Sequence, residues 1–105
     1  MAAVDYDFAT PLPHPGEVLR EDFLPDYGLT PGALAKAMGL KDRTRVERLV
    51  RGAQSVTAET ALRLGRVFGT SAQLWLNMQA SHDLSVAYIA KKTEIAQIKA
   101  LQPPG

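Results

Sequence analysis

The sequence predicts an all-α domain of five or six short helices built around a helix-turn-helix, with a helical extension at its C-terminal end. Three observations carry that expectation. Across the 105 residues, apolar positions recur at spacings of three and four rather than two, which is the period of helices and not of strands. Glycines punctuate those stretches at residues 28, 39, 52 and 69, where helices commonly stop. Between residues 30 and 52 two helical stretches flank a glycine-containing turn, and the second has a basic outer face, the pattern of a helix-turn-helix. A chain this short holds one domain.

Residues 1–13, MAAVDYDFATPLP, lack periodicity and end in prolines, so they are expected to form an arm. Residues 14–84 are assigned to the helix-turn-helix domain and 85–105 to the C-terminal helical extension and tail. The first helix should begin near Pro15 and run through GEVLREDFL, since proline suits the first helical turn. Val18, Leu19, Phe23 and Leu24 form its buried stripe, and Pro25 is expected to end or kink it before Gly28. Thr30 caps the second helix, with Pro31 in its first turn and Leu34, Ala35 and Met38 turned inward. Asp42 is the expected N-cap of the third helix. Val46, Leu49 and Val50 anchor that helix, which leaves Thr44, Glu47, Arg48 and Arg51 on the opposite side. The fourth helix is capped by Thr57 and should turn Ala61, Leu62, Gly65 and Phe68 to the core. Thr70 or Ser71 caps the fifth, AQLWLNMQASHDL, which is expected to continue through VAYIAKKTEIAQIKAL before the Pro-Pro-Gly terminus. Two apolar stripes run along it: Leu74, Trp75 and Met78 on one, Leu76, Ala80, Leu84 and Ala87 on the other. One small core needs a single stripe, so the second meets either another chain or the C-terminal segment folded over it.

Composition narrows the function. The sequence has no cysteine, which excludes disulfides, thiol catalysis and cysteine-ligated metal. His14 and His82 are too few for a metal site without a third ligand, and the entrance of a helix favours a local backbone contact for His14. Neither a nucleophile motif, a glycine-rich phosphate loop nor a paired carboxylate arrangement is present, so the expectation is a non-enzyme without cofactor. The apolar runs are too short to span a bilayer and no leader pattern opens the chain, which predicts a cytoplasmic protein. The net charge of +1 conceals an asymmetry. Residues 1–30 hold six acids against Arg20 alone, a balance of −5, and residues 41–66 hold seven bases against three acids, a balance of +4. Opposite signs on different segments point to two faces with different partners.

Lys41, Arg43, Thr44, Arg45, Glu47, Arg48 and Arg51 surround the narrow apolar anchor of the third helix. Arginine bonds the O6 and N7 acceptors of guanine in a bidentate manner, threonine meets a phosphate or a thymine methyl, and glutamate accepts from cytosine N4. These residues are the candidate DNA-binding set, with Lys36 a further phosphate contact. Glu47 has a second role open to it, pairing with Arg43 or Arg51 one helical turn away.

From His14 to about Leu84 the sequence resembles the HigA-type (VapI-like) antitoxins, within the Xre-like (lambda-repressor-like) helix-turn-helix superfamily. The resemblance runs through HPGEVLREDFL, GLTPGALAKAMGL, RVERLVRG and VTAETALRLGRVFGTSAQLWLNMQASHDL. It implies a homodimer that binds double-stranded operator DNA of its own operon and neutralises a RelE-like (HigB-type) toxin that cleaves messenger RNA. The chain departs from the family pattern by one extra residue near Lys41-Asp42, and by Pro31, Glu47 and Arg51 where the family often has glutamine, serine and asparagine. An RNA-binding toxin presents a basic surface, which makes the acidic N-terminal third its expected partner: Asp5, Asp7, Glu17, Glu21, Asp22 and Asp26, with Tyr6 and Phe8 as apolar anchors. The dimer contact is expected along Leu76, Ala80, Leu84, Tyr88, Ile95 and Ile98. Two other readings stay open, a solitary repressor without a toxin and a helical adaptor that binds only protein.

Overall fold

The computed structural model describes residues 8–104, so Asp5, Tyr6 and Asp7 lie outside the described residues. Among those described, every regular element is helical. The first helical run, α1, comprises Pro15–Val18, a π-helical turn Leu19–Phe23 and Leu24–Tyr27. It is followed by α2 (Pro31–Ala37), α3 (Thr44–Val50), α4 (Ala58–Phe68) and α5 (Ala72–Ala96). No helix among the described residues is long and apolar enough to cross a membrane.

Capping explains where the helices start. Thr30, Thr57 and Ser71 each accept a backbone N–H three residues on, from Ala33, Thr60 and Leu74. Ser71 is therefore the cap of α5, and the Thr70 hydroxyl instead accepts from the Trp75 indole N–H at 2.8 Å. At the entrance of α1 the cap is an imidazole: His14 Nδ1 accepts the Gly16 N–H at 2.9 Å.

The expectation that Pro25 could end the first helix is corrected. Helical structure passes through it to Tyr27 and stops at Gly28, which takes φ +62°. The Leu24 N–H reaches back five residues to the Leu19 carbonyl. That widened turn precedes a proline whose ring would otherwise crowd the carbonyl four residues earlier. The start of α3 is also corrected. Asp42 precedes the cap position, which Arg43 holds without a side-chain bond, and the Asp42 carboxylate accepts the Thr44 N–H at 2.9 Å. That bond, first of all, holds its carboxyl below the usual carboxylate range.

The core lies where α1 to α4 meet the first half of α5. Leu19, Leu34, Val46, Leu49, Leu64 and Trp75 are buried at its centre. The rings of Phe23, Phe68 and Trp75 pack together, with centroids 4.8 to 6.1 Å apart. Leu62, expected in this core, is 65% exposed, and Leu64 takes its place. At 100° per residue Ala61, Leu64, Gly65 and Phe68 share one stripe, and Leu62 falls beside it. Leu74 is likewise exposed on α5, while Trp75, Gln79 and Ser85 are buried.

Gln79 and Ser85 are polar and satisfied by distant backbone. Gln79 Oε1 accepts the Val56 N–H at 2.8 Å, and the Ser85 hydroxyl accepts the Leu12 N–H at 2.8 Å. His82 Nδ1 meets the Leu12 carbonyl at 2.7 Å, and Phe8 lies edge-on to Tyr88 with centroids 5.8 Å apart. The described end of the arm is thus laid along α5.

The second apolar stripe of α5 stays uncovered by this chain in large part. Leu76 and Tyr88 are half-buried, while Ala80, Leu84, Ala87 and Ile95 are exposed. The alternative in which the C-terminal segment folds over the stripe is ruled out, because that segment is the continuation of the same helix. Ile98 lies just beyond the helix end and is 74% exposed.

Candidate nucleic-acid interface

The helix-turn-helix consists of α2, the turn through Gly39, and α3. Gly39 takes φ +76°, a left-handed conformation that costs a side-chain-bearing residue energy, and this lets the chain reverse within a few residues. Val46, Leu49 and Val50 hold α3 to the core. Thr44, Glu47, Arg48 and Arg51 are all exposed, and with Pro31 and Val50 they line one open hollow. A second open hollow is lined by Gly32, Ala35, Lys36, Leu40, Lys41, Asp42 and Arg43. Five of the basic side chains picked out from the sequence, Lys36, Lys41, Arg43, Arg48 and Arg51, therefore border two neighbouring hollows.

Arg45 borders a third open hollow, together with Lys41, Asp42 and Arg63. Its Nη1 lies 3.5 Å from Glu59 Oε2 at the start of α4, and its side chain is 35% exposed against 70% for Arg43. Glu47 pairs with Arg43 one turn back at 3.6 Å, the intrahelical role open to it.

The C-terminal end of α3 is gripped by α1. Arg20 Nη1 donates to the Val50 carbonyl at 2.9 Å while its Nε pairs with Glu21 at 3.0 Å. A cation at this end also suits the helix dipole. Gly16 lies so close that an added Cβ would overlap the Leu49 carbonyl oxygen. His14 carries the same seam further, with its ring near Gly52 and 5.0 Å from that of His82.

The remaining acids of α1, Glu17, Asp22 and Asp26, are exposed together with Glu21. Arg20 and Arg63 were assigned no role from the sequence, and both turn out to bond helix-end carbonyls, Val50 and Met38. The Glu59–Arg63 spacing of four residues was a legible sign of an ion pair. The Arg20 bond had no local sign. Among the described residues, no three histidines, cysteines or carboxylates come together to hold a metal.

No protein-family model matches the chain. It is 51% identical over 77 residues to virulence-associated protein I of Dichelobacter nodosus, covering 73% of this chain and 70% of that one. Its fold superposes with a TM-score of 0.80 on the Pseudomonas aeruginosa antitoxin HigA solved with the higBA promoter. That protein is 40% identical, and the likeness covers 87% of this chain and 99% of that one. The antitoxin GraA in complex with its operator gives a TM-score of 0.84 at 34% identity, covering 95% and 100% of the two chains. These similar proteins are antitoxins and DNA-bound regulators, not enzymes.

Proposed function

The chain belongs to the HigA-type (VapI-like) antitoxins of the Xre-like helix-turn-helix superfamily, and from that premise we propose that it represses its own operon as a dimer and neutralises a RelE-like toxin. The observation that carries the DNA-binding half is the exposed apex of α3, where Thr44, Arg48 and Arg51 stand over the buried Val46, Leu49 and Val50. Such a helix presents its side chains to base edges in the major groove. Lys36, Lys41 and Arg43 border the adjacent hollow and suit the flanking phosphates.

The toxin-facing surface is assigned to the acidic side of α1, with Glu17, Glu21, Asp22 and Asp26, together with the arm that carries Asp5, Tyr6, Asp7 and Phe8. A basic, RNA-binding partner is the electrostatic complement of this surface, and DNA is not. We assign residues 1–13 to the arm, 14–84 to the helix-turn-helix domain and 85–105 to the C-terminal helical extension and tail. Leu76, Ala80, Leu84, Tyr88, Ile95 and Ile98 supply the contact between copies.

Co-expression tests the antitoxin half. The small basic protein encoded next to this chain should arrest growth alone and be harmless beside the parent. Reversing the charges of Glu21, Asp22 and Asp26 together should restore arrest while repression of the operon persists. A neighbour that is harmless alone leaves a solitary repressor as the function. Rescue by the charge-reversed variant equal to the parent's removes the acidic face from the interface.

A further inference from the structure

Glu59 stands outside the basic helix, yet it holds one of that helix's arginines. Its Oε2 accepts from Arg63 Nε at 3.0 Å and from Arg45 Nη1 at 3.5 Å. Arg63 donates in turn through Nη1 to the Met38 carbonyl at 2.7 Å, at the C-terminal cap of α2. One carboxylate thus joins both helices of the helix-turn-helix to α4. Of the nearby acids, Glu47 is paired with Arg43, and Asp42, whose charge also acts on Arg45, accepts its hydrogen bond from the Thr44 N–H.

We propose that Glu59 is an affinity-limiting residue, which holds Arg45 off the phosphates of arbitrary DNA, so that any duplex recruiting Arg45 must first break the pair. The inference rests on the DNA-reading function proposed above. The two arginines on Glu59 differ in how firmly they are held. Arg63 is fixed by a second bond to the Met38 carbonyl, whereas Arg45 has only the longer contact, on a carboxylate that is itself 58% exposed. Exposed ion pairs are weak enough to exchange, so Arg45 can leave while Glu59 stays neutralised by Arg63. An arginine on a phosphate adds affinity for every sequence alike. Holding Arg45 back therefore lowers background binding, and it lowers affinity for a recruiting duplex by at least as much, since that duplex must break the pair.

The test is a double-mutant cycle. The parent, Glu59→Gln, Arg45→Ala and the double variant are titrated with a duplex from immediately upstream of the coding sequence and with a scrambled duplex, over a range of salt. Glu59→Gln should bind both duplexes several-fold more tightly, because neither has to break the pair first, and should steepen the salt slope on the scrambled one by about one. Both gains should vanish when Arg45 is also alanine. Arg45→Ala alone should weaken the upstream duplex and leave the scrambled one unchanged, a result that does not depend on how Glu59→Gln folds. The proposal is overturned if Glu59→Gln tightens binding equally without Arg45, since lost negative charge then explains the gain. It is overturned too if both duplexes weaken together, the mark of a scaffold role. A parent that prefers neither duplex removes the DNA-reading function itself, and with it this proposal.

Discussion

His14 caps α1 through Nδ1, which must be unprotonated to accept the Gly16 N–H. Burial is the main reason its ring is held below the ordinary imidazole value, with the adjacent His82 second; the Asp83 and Glu17 charges and the Gln54 carbonyl oppose this. The folded pKa lies below the unfolded value of 6.5, so below that pH the unfolded chain takes up a proton that the folded chain refuses. The stabilisation is therefore complete above about pH 6.5 and drains away as pH falls toward the folded value. Urea titrations should show the parent less stable at about pH 5.5 than at about pH 7.5, and His14→Asn, which still caps, should reduce that difference. Equal pH dependence in the two proteins would remove His14 as the cause. Arg48, at the exposed apex of α3, is the residue whose loss most directly tests base reading. Arg48→Ala should cost roughly 1–3 kcal/mol on the upstream duplex and narrow the margin over a scrambled one. Uniform weakening of both duplexes would make Arg48 a phosphate contact instead.

Between elements, the tightest seam joins α1 to the end of α3. Gly16 leaves no space for a Cβ against the Leu49 carbonyl, and because the obstacle is backbone it cannot rotate away. Gly16→Ala should lower stability by about 1–3 kcal/mol and weaken operator binding through the displaced α3. Unchanged thermal melting would show that the seam opens freely. The caps at Thr30, Thr57 and Ser71, the glycine stops and the apex of α3 were all legible in the sequence, because each depends on residues within one turn of itself. The path through Pro25 was not, since a π-helical turn leaves no periodic trace in five residues. Nor were Gln79 and Ser85, polar side chains that can be buried only because Val56 and Leu12, far away in sequence, supply their partners. The Arg45–Glu59 pair was not legible for the same reason: the two residues belong to different helices.

For the whole molecule, measuring 57 × 29 × 22 Å, the proposed dimer can be tested on the uncovered stripe of α5. Leu84 and Ile95 remain 43% and 51% exposed, and replacing both with lysine should turn a dimer into a monomer in sedimentation on the order of tens of micromolar. Operator affinity should fall with it, as one reading helix covers only a few base pairs. A parent already monomeric under those conditions and on DNA would remove the stripe from any interface. A last consequence follows from the unbroken course of α5 between Ala72 and Ala96, about 37 Å of rod at the usual rise. Its near end is locked through Trp75 to Thr70 and through Gln79 to Val56, so the free end has a set bearing relative to α3. In the proposed dimer, two heads joined by such rods would act as the jaws of a caliper. Substitutions that alter only the crossing of the rods should change the gap between half-sites and leave untouched the letters read within each one.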